Sequence, residues 1–385
     1  MTPSARTQTA IELLDEIIAE ARRGGRPADA VLAEGFRQRR YAGSGDRRGI
    51  RELVYRAIRR FGEPPASGRE AFVALADETP SLAMTFDGSP YGPKPLVDDE
   101  PRAISLPMPA WLVAALPAEL GHALLDRAPL DLRVNTLKGS REEARALLPE
   151  TEPIGRIGLR LARSIALEQH PAFAGGLVEV QDHGSQLIID ACAVEPGMTV
   201  VDLCAGAGGK TLALAAALGN EGRLIACDTS RTRLQELPRR AERAGANVEL
   251  RLLDGGRERE QLRDLHGQAD VVLVDAPCSG TGTLRRNPDV RWRLQQGDLS
   301  RLAALQAHVL DLAAPLVRRG GSLVYAVCSL LPTEGLAQLS AFTARQPGWR
   351  DERLPFGTEA GQGVYLTPAR DGTDGFFVAR LRRDH

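Results

Sequence analysis

Asp270-Val-Val-Leu-Val-Asp275-Ala-Pro277-Cys278-Ser-Gly280-Thr-Gly282 decides how this chain is read. Val271 to Val274 form a β-branched, apolar run too short for a helix, which predicts a buried strand. A carboxylate, a proline and a thiol follow at once, so reactive groups stand where a strand ends. A second such strand, Ser322-Leu-Val-Tyr-Ala-Val327, ends in Cys328-Ser329-Leu-Leu-Pro332-Thr-Glu334.

Working upstream, Met198-Thr-Val-Val-Asp202-Leu-Cys204-Ala205-Gly206-Ala207-Gly208-Gly209-Lys210-Thr211 reads as strand, glycine-rich turn and helix start. Glycines there let a backbone approach a ligand, and the helix N-terminus offers free N–H groups. The next strand, Arg223 to Cys227, ends in Asp228, where such folds place a carboxylate for ribose hydroxyls. A third, Val248 to Leu253, ends in Asp254. Alternating strands and helices predict a parallel doubly wound sheet with its ligands outside the carboxyl ends of the strands. In the order 3-2-1-4-5 the strands ending at Cys278 and Cys328 are neighbours about 5 Å apart, so both thiols face one pocket.

The chain has 385 residues, 43% of them hydrophobic, enough for two or three domains with ordinary cores. No apolar run approaches the roughly 20 residues of a membrane span. Met1 to Ala10 lacks the apolar core of a secretory signal. Five cysteines without a Cys-x-x-Cys pair give neither a disulfide framework nor a zinc signature, so a reducing cytoplasm, no membrane and no metal are expected. A net charge of −1 does not advertise nucleic-acid binding. Distribution matters more: only Lys94, Lys138 and Lys210 are lysines, and arginine supplies the remaining positive charge. That residue pairs with phosphates and stacks on bases, although a genome-wide bias explains the composition equally well.

The order of segments suggests four parts. Residues 1–86 are helical, with apolar pairs at helical spacing in the first helix and Arg37 to Arg60 making the following segment basic; a phosphate-contacting face and a plain solvated face both fit. Residues 87–101, with four prolines and an acidic cluster, read as a linker. Residues 102–180 read as a small α+β RNA-binding module, a plain packing domain fitting equally well, with a half-buried strand at Leu132 to Leu137, a helix capped by Ser140 and a strand at Gly176 to Gln181. Residues 181–385 hold the nucleotide-type domain, in which Pro238 kinks or delays a helix. Its final residues form paired strands around Asp371-Gly372.

Asp202 to Thr211, Asp275-Ala-Pro-Cys-Ser-Gly-Thr-Gly282, Cys328-Ser-Leu-Leu-Pro-Thr-Glu334, Gln181-Asp-His-Gly-Ser-Gln186 and Asp374-Gly-Phe-Phe377 together resemble the RsmB/Nop2/Sun family of RNA 5-methylcytosine methyltransferases. Leu132-Arg-Val-Asn-Thr-Leu-Lys138 is similar to the segment ahead of that family's catalytic domain, so the likeness covers roughly 105–385. Ala207 departs from it, standing where the family usually has Pro. Asp46 to Arg60 resembles more faintly the NusB-like RNA-binding domain of bacterial members. The resemblance implies a class I S-adenosylmethionine-dependent methyltransferase domain of Rossmann-like α/β fold, behind a small α+β module and an all-helical domain. It implies Cys328 as the nucleophile that adds to carbon 6 of cytosine, Cys278 as the thiol assisting release, and Asp275 as the partner of the base. S-adenosylmethionine would be held by Cys204, Ala205, Gly206, Ala207, Gly208, Gly209 and Lys210, with Asp228 on the ribose, Asp254 on the adenine side and Asp275 nearby. For Asp254 a plain loop cap is the alternative, and Cys192, Cys204 and Cys227 read more simply as small buried hydrophobes.

The expected partner is RNA with an unpaired target base, ribosomal RNA first and transfer RNA second. Arg285, Arg286, Arg291, Trp292 and Arg293 offer a backbone grip and a stacking ring, or merely a solvated loop. A monomer is expected. A non-catalytic RNA-binding or ribosome-assembly factor is the competing class, and a DNA cytosine methyltransferase using the Pro-Cys thiol is a third.

Overall fold

The computed structural model describes residues 1–104, 106, 108–116, 122–163 and 165–384. The chain forms two compact units, Met1–Asp126 with Thr283–Asp298, and Arg127–Gly282 with Leu299–His385. This division differs from the breaks at 87–101 and 180 that composition suggests, because residues 283–298 leave the second unit and join the first.

The first unit is built on helices Pro3–Arg22, Ala28–Gln38, Ser44–Arg60 and Gly68–Asp77. Thr2 caps the first helix, accepting a bond from the Ala5 N–H, and Pro3 sits at the first helical position, where a missing N–H is harmless. Leu13, Leu14, Ile17, Leu32, Ile50, Ile58 and Phe72 fill the core. Trp292 joins that core, 5% exposed, and its indole N–H donates to the Phe61 carbonyl at 2.8 Å. Arg291 donates to the carbonyls of Ile58 and Arg59 at 2.6 and 2.8 Å, where the Ser44–Arg60 helix runs out of backbone partners. A backbone grip by Arg291 and a base stacked on Trp292 are therefore corrected: both side chains are structural parts of the helical unit.

In the second unit a four-stranded antiparallel sheet has the order β2-β3-β1-β4, with β1 Leu130–Val134, β2 Thr151–Ile154, β3 Gly158–Leu161 and β4 Val178–Val180. Ser140 caps the helix Arg141–Leu147 in a capping box with Glu143. The strand at Leu132 is not half-buried. Arg133 is 1% exposed, as deep as its apolar neighbours.

The large sheet begins with β5 Thr199–Asp202, β6 Arg223–Asp228, β7 Glu249–Leu252, β8 Ala269–Asp275 and β9 Val317–Val327. β10 Trp349–Glu352, β11 Thr358–Ala360, β12 Gly363–Leu366 and β13 Phe376–Arg383 complete it. Its path is β11-β12-β13-β9-β8-β5-β6-β7, with β10 paired to β13. The parallel part, β7-β6-β5-β8-β9, is the 3-2-1-4-5 order expected from the sequence. Val271 to Val274 are at most 3% exposed because helices cover both faces, which is why β8 reads as an unbroken apolar run. β12 and β13 pair antiparallel at the sheet's edge. Pro238 delays its helix, which starts at Leu237 after a short turn at Arg231–Leu234. No described helix is long and apolar enough to cross a membrane.

Candidate functional site

The tips of β8 and β9 bring the two cysteines together. Their Sγ atoms lie 3.3 Å apart, and the strands hold register up to Asp275 opposite Ala326. The Ala276 N–H donates to the Ala326 carbonyl and the Gly282 N–H to the Cys328 carbonyl, so the two loops continue the pairing beyond the sheet. Gly282 has no room for a side chain: a Cβ would come within 1.9 Å of the Gly375 carbonyl.

A buried polar network lies under the thiols. The Glu334 carboxyl accepts from the Ser279 N–H at 2.8 Å, from the Ser279 hydroxyl and from the Gln306 amide at 3.0 Å. Gln306 also donates to the Pro277 carbonyl, and Tyr325 donates to the Glu334 carbonyl at 2.6 Å. Ser329 is hydrogen-bonded to Thr281 at 3.0 Å. Thus one loop is fastened to the other by side chains with no exposure to water, Glu334, Gln306, Thr281 and Ser329 all being 0% exposed.

The thiols are not equivalent. Cys278's proton is held well above the ordinary cysteine range by its bond to Cys328, then by burial and by the charges of Cys328 and Glu334. Asp275 takes the Lys210 ammonium at 2.7 Å. Burial works to lower the Lys210 pKa, but the charge and hydrogen bond of Asp275, followed by the Cys328 charge, raise it. A fixed cation thus stands near both Asp275 and Cys328. Burial pushes the thiols of Cys192, Cys204 and Cys227 upward, leaving them small apolar fillers.

At the glycine turn, Gly206 and Gly208 take left-handed φ of 56° and 87°. A Cβ on Gly208 would strike Leu237, whereas Gly209 meets nothing within 4 Å and Gly206 only the Arg233 guanidinium at 3.9 Å. One glycine serves packing and two leave the turn's surface bare. Asp228 accepts from the Gly206 N–H at 2.7 Å and the Ser230 N–H at 2.6 Å, and pairs with Arg233, so it shapes the turn. Asp254 is exposed and exchanges hydrogen bonds with Gln261, the pattern of a loop cap. Lys210 reaches Asp275, away from the turn in which its sequence position places it.

Asp202 closes β5. Thr211 donates to its Oδ2 at 2.7 Å, while Oδ1 is buried with no partner. Burial first, then the nearby Asp275 charge, pushes its pKa up to about 7 against an ordinary 3.8. The folded state then binds this proton more tightly than the unfolded chain, so the cost of ionising Asp202 builds between pH 4 and 7. Asp202→Asn should accordingly gain stability over the natural protein by up to about 4 kcal/mol across that window. Urea unfolding of both proteins at pH 4 and pH 8 measures it.

The motifs flanking this domain are joined as well. Asp182 accepts from the Asp374 N–H at 3.1 Å, and a Cβ on Gly184 would come within 2.6 Å of the Phe376 ring. Among the described residues no cluster of three His, Cys, Asp or Glu side chains is placed to hold a metal.

Residues 188–382 match the family model described as 16S rRNA methyltransferase RsmB/F. The chain belongs to this family. It is 36% identical over 287 residues to the ribosomal RNA small subunit methyltransferase B of Yersinia pseudotuberculosis, covering 71% of this chain and 66% of that one, just under two thirds of the relative's length. A methyltransferase homologue from Pyrococcus horikoshii superposes with a TM-score of 0.60 at 27% identity, covering 69% of this chain and 89% of that one. The crystal structure of PH0851 superposes over 100% of this chain and 99% of its own with a TM-score of 0.78 at 22% identity, a likeness of fold. The fold is that of the S-adenosylmethionine-dependent methyltransferases, and S-adenosylmethionine is the family's cofactor. The residues present fit that cofactor: the turn is bare at Gly206 and Gly209, and the unpaired buried oxygen of Asp202 suits a cationic ligand.

Proposed function

We propose that this protein is an RNA cytosine-5 methyltransferase acting on ribosomal RNA in the cytoplasm. The observation that carries the reading is the pair of thiols 3.3 Å apart beside the Lys210–Asp275 pair, at the strand tips where such sheets bind ligands. Carbon 5 of cytosine is a poor nucleophile, and a thiol adding to carbon 6 activates it.

In this reading Cys328 adds to carbon 6 and the ring's electrons move toward carbon 5. Asp275, oriented by Lys210, bonds the base near N3 and its exocyclic amine and balances that shift. S-adenosylmethionine, when bound, supplies a methyl group already activated on a sulfonium. The turn from Cys204 to Gly209 would hold it, with Asp202 available to its positive charge and Asp228 to its ribose, while Asp254, proposed for the adenine side, is the weakest member of the set. Once carbon 5 carries the methyl group, water takes up its proton, the C5–H electrons restore the ring's 5,6 double bond and the carbon–sulfur bond breaks. Cys278 assists this elimination by giving its proton to the departing Cys328 sulfur 3.3 Å away and is reprotonated from solvent. The all-helical unit, with its arginine-rich third helix, supplies further RNA affinity.

Cys278→Ala tests the scheme. Purified from cells, it should carry RNA through a covalent bond, seen as an RNase-sensitive shift in denaturing electrophoresis that vanishes when Cys328 is also replaced. Sequencing the trapped RNA separates ribosomal from transfer RNA. Absence of an adduct, with S-adenosylmethionine still bound, would favour a non-catalytic RNA-binding factor.

A further inference from the structure

The second unit encloses a cavity of about 290 Å³ between the four-stranded module and the helices His183–Cys192 and Gly209–Leu218. Arg133, Thr136, Arg156, His183 and Asp190 contribute its polar lining, and Ala213, Ala216 and Ala217 one apolar wall. Arg133 is 1% exposed, yet its Nε and Nη1 have no hydrogen-bond partner. Neither has the buried Nδ1 of His183.

A buried guanidinium with its Nε and Nη1 unpaired is costly, and either N–H can donate to an oxyanion. The neighbouring carboxylates are taken. Glu179, opposite Arg133 across the β1–β4 pair, is held by Arg240 at 3.1 Å and by Arg243. Asp190 is held at 3.2 Å by Arg156, which is itself largely exposed. Thr136 donates its hydroxyl to the Ala216 carbonyl. With Arg133 and Arg156 against Asp190, the lining carries a net positive charge before any contribution from His183.

We infer that this cavity is a binding site for a phosphate-class oxyanion, held by the unpaired guanidinium N–H groups of Arg133 with His183 as a further donor. A tetrahedral anion accepts from several directions, which a planar carboxylate cannot do as readily. The volume exceeds the roughly 30 Å³ share of one water several times over, so the site has room for the anion. The alanine wall keeps bulk water away and strengthens the pairing.

Calorimetric titration of the full chain with inorganic phosphate, at constant ionic strength, tests this. One saturable site is expected. Arg133→Met, which keeps length and removes charge, should weaken binding by about tenfold or more, as loss of a charge-assisted pair does. Without phosphate this variant should unfold no earlier than the natural protein, because it removes a buried cation whose Nε and Nη1 have no hydrogen-bond partner. His183→Gln, which leaves Arg133 in place, should bind a few-fold more weakly and covers the case in which Arg133→Met does not fold. No saturable binding by the natural protein, or equal affinity in both variants, overturns the site. A single-stranded RNA lacking terminal phosphates separates the sources: displacement of phosphate by it assigns the site to a backbone phosphate, and no displacement to a free anion, the site standing in both cases.

Discussion

Alanine in place of Cys328 is expected to lower methyl transfer to RNA by roughly 10⁴-fold or more, the scale on which removing a covalent nucleophile acts. The fold should survive. Cys328 is only partly buried, its carbonyl still accepts from the Gly282 N–H, and loss of one sulfur leaves a small gap costing about 1 kcal/mol. Methyl incorporation from labelled S-adenosylmethionine, beside a thermal unfolding curve, reads both. The geometry alone is symmetric, since either thiol at 3.3 Å could attack. What breaks the symmetry in the proposed scheme is the motif order, which gives the attack to the later cysteine, while the bond to Cys328, then burial, then the charges of Cys328 and Glu334 hold the Cys278 pKa up. Retained transfer in the Cys328→Ala protein, with loss in Cys278→Ala, would reverse the assignment to the one DNA cytosine methyltransferases use.

Much of the frame was legible because it rests on local pattern. An apolar β8, glycines needed for left-handed backbone at 206 and 208, and carboxylates at successive strand ends suffice to order five strands. What stayed hidden depends on distant partners. Arg291 and Trp292 look like an RNA grip in their own neighbourhood, and only the packing of residues 283–298 with the N-terminal helices makes them a helix cap and a core ring. Arg133 sits in an alternating pattern that places it on the wet face, but helix His183–Cys192 covers that face. Lys210 reads as part of the glycine-rich cofactor turn, while its ammonium goes to a carboxylate on another strand. Glu334 was visible as a motif letter, and its task was not. Six residues beyond Cys328 and past a proline, it has no periodicity that announces a buried anchor, and Gln306 stands in a helix with no signal at all.

That anchor yields the second large effect. Glu334→Leu should destabilise the protein by about 3 kcal/mol or more, because in a site closed to water it strands the Ser279 N–H and one Gln306 amide hydrogen and takes from the Ser279 hydroxyl its charged acceptor. Glu334→Gln is the informative contrast. Its carbonyl can keep the Ser279 and Gln306 donors, and its amide can donate to the Ser279 oxygen, so about 1 kcal/mol or less is expected to be lost. The same change removes a charge that holds Cys278's proton in place, so the Cys278 pKa should fall and its alkylation by iodoacetamide at pH 8 should quicken. Stability by urea unfolding and alkylation rate by mass spectrometry therefore separate two roles of one side chain. If Gln destabilises as much as Leu, the charge itself fastens the loops. If Leu is tolerated, the two cysteine loops are aligned by their backbone bonds alone and the network beneath them is dispensable.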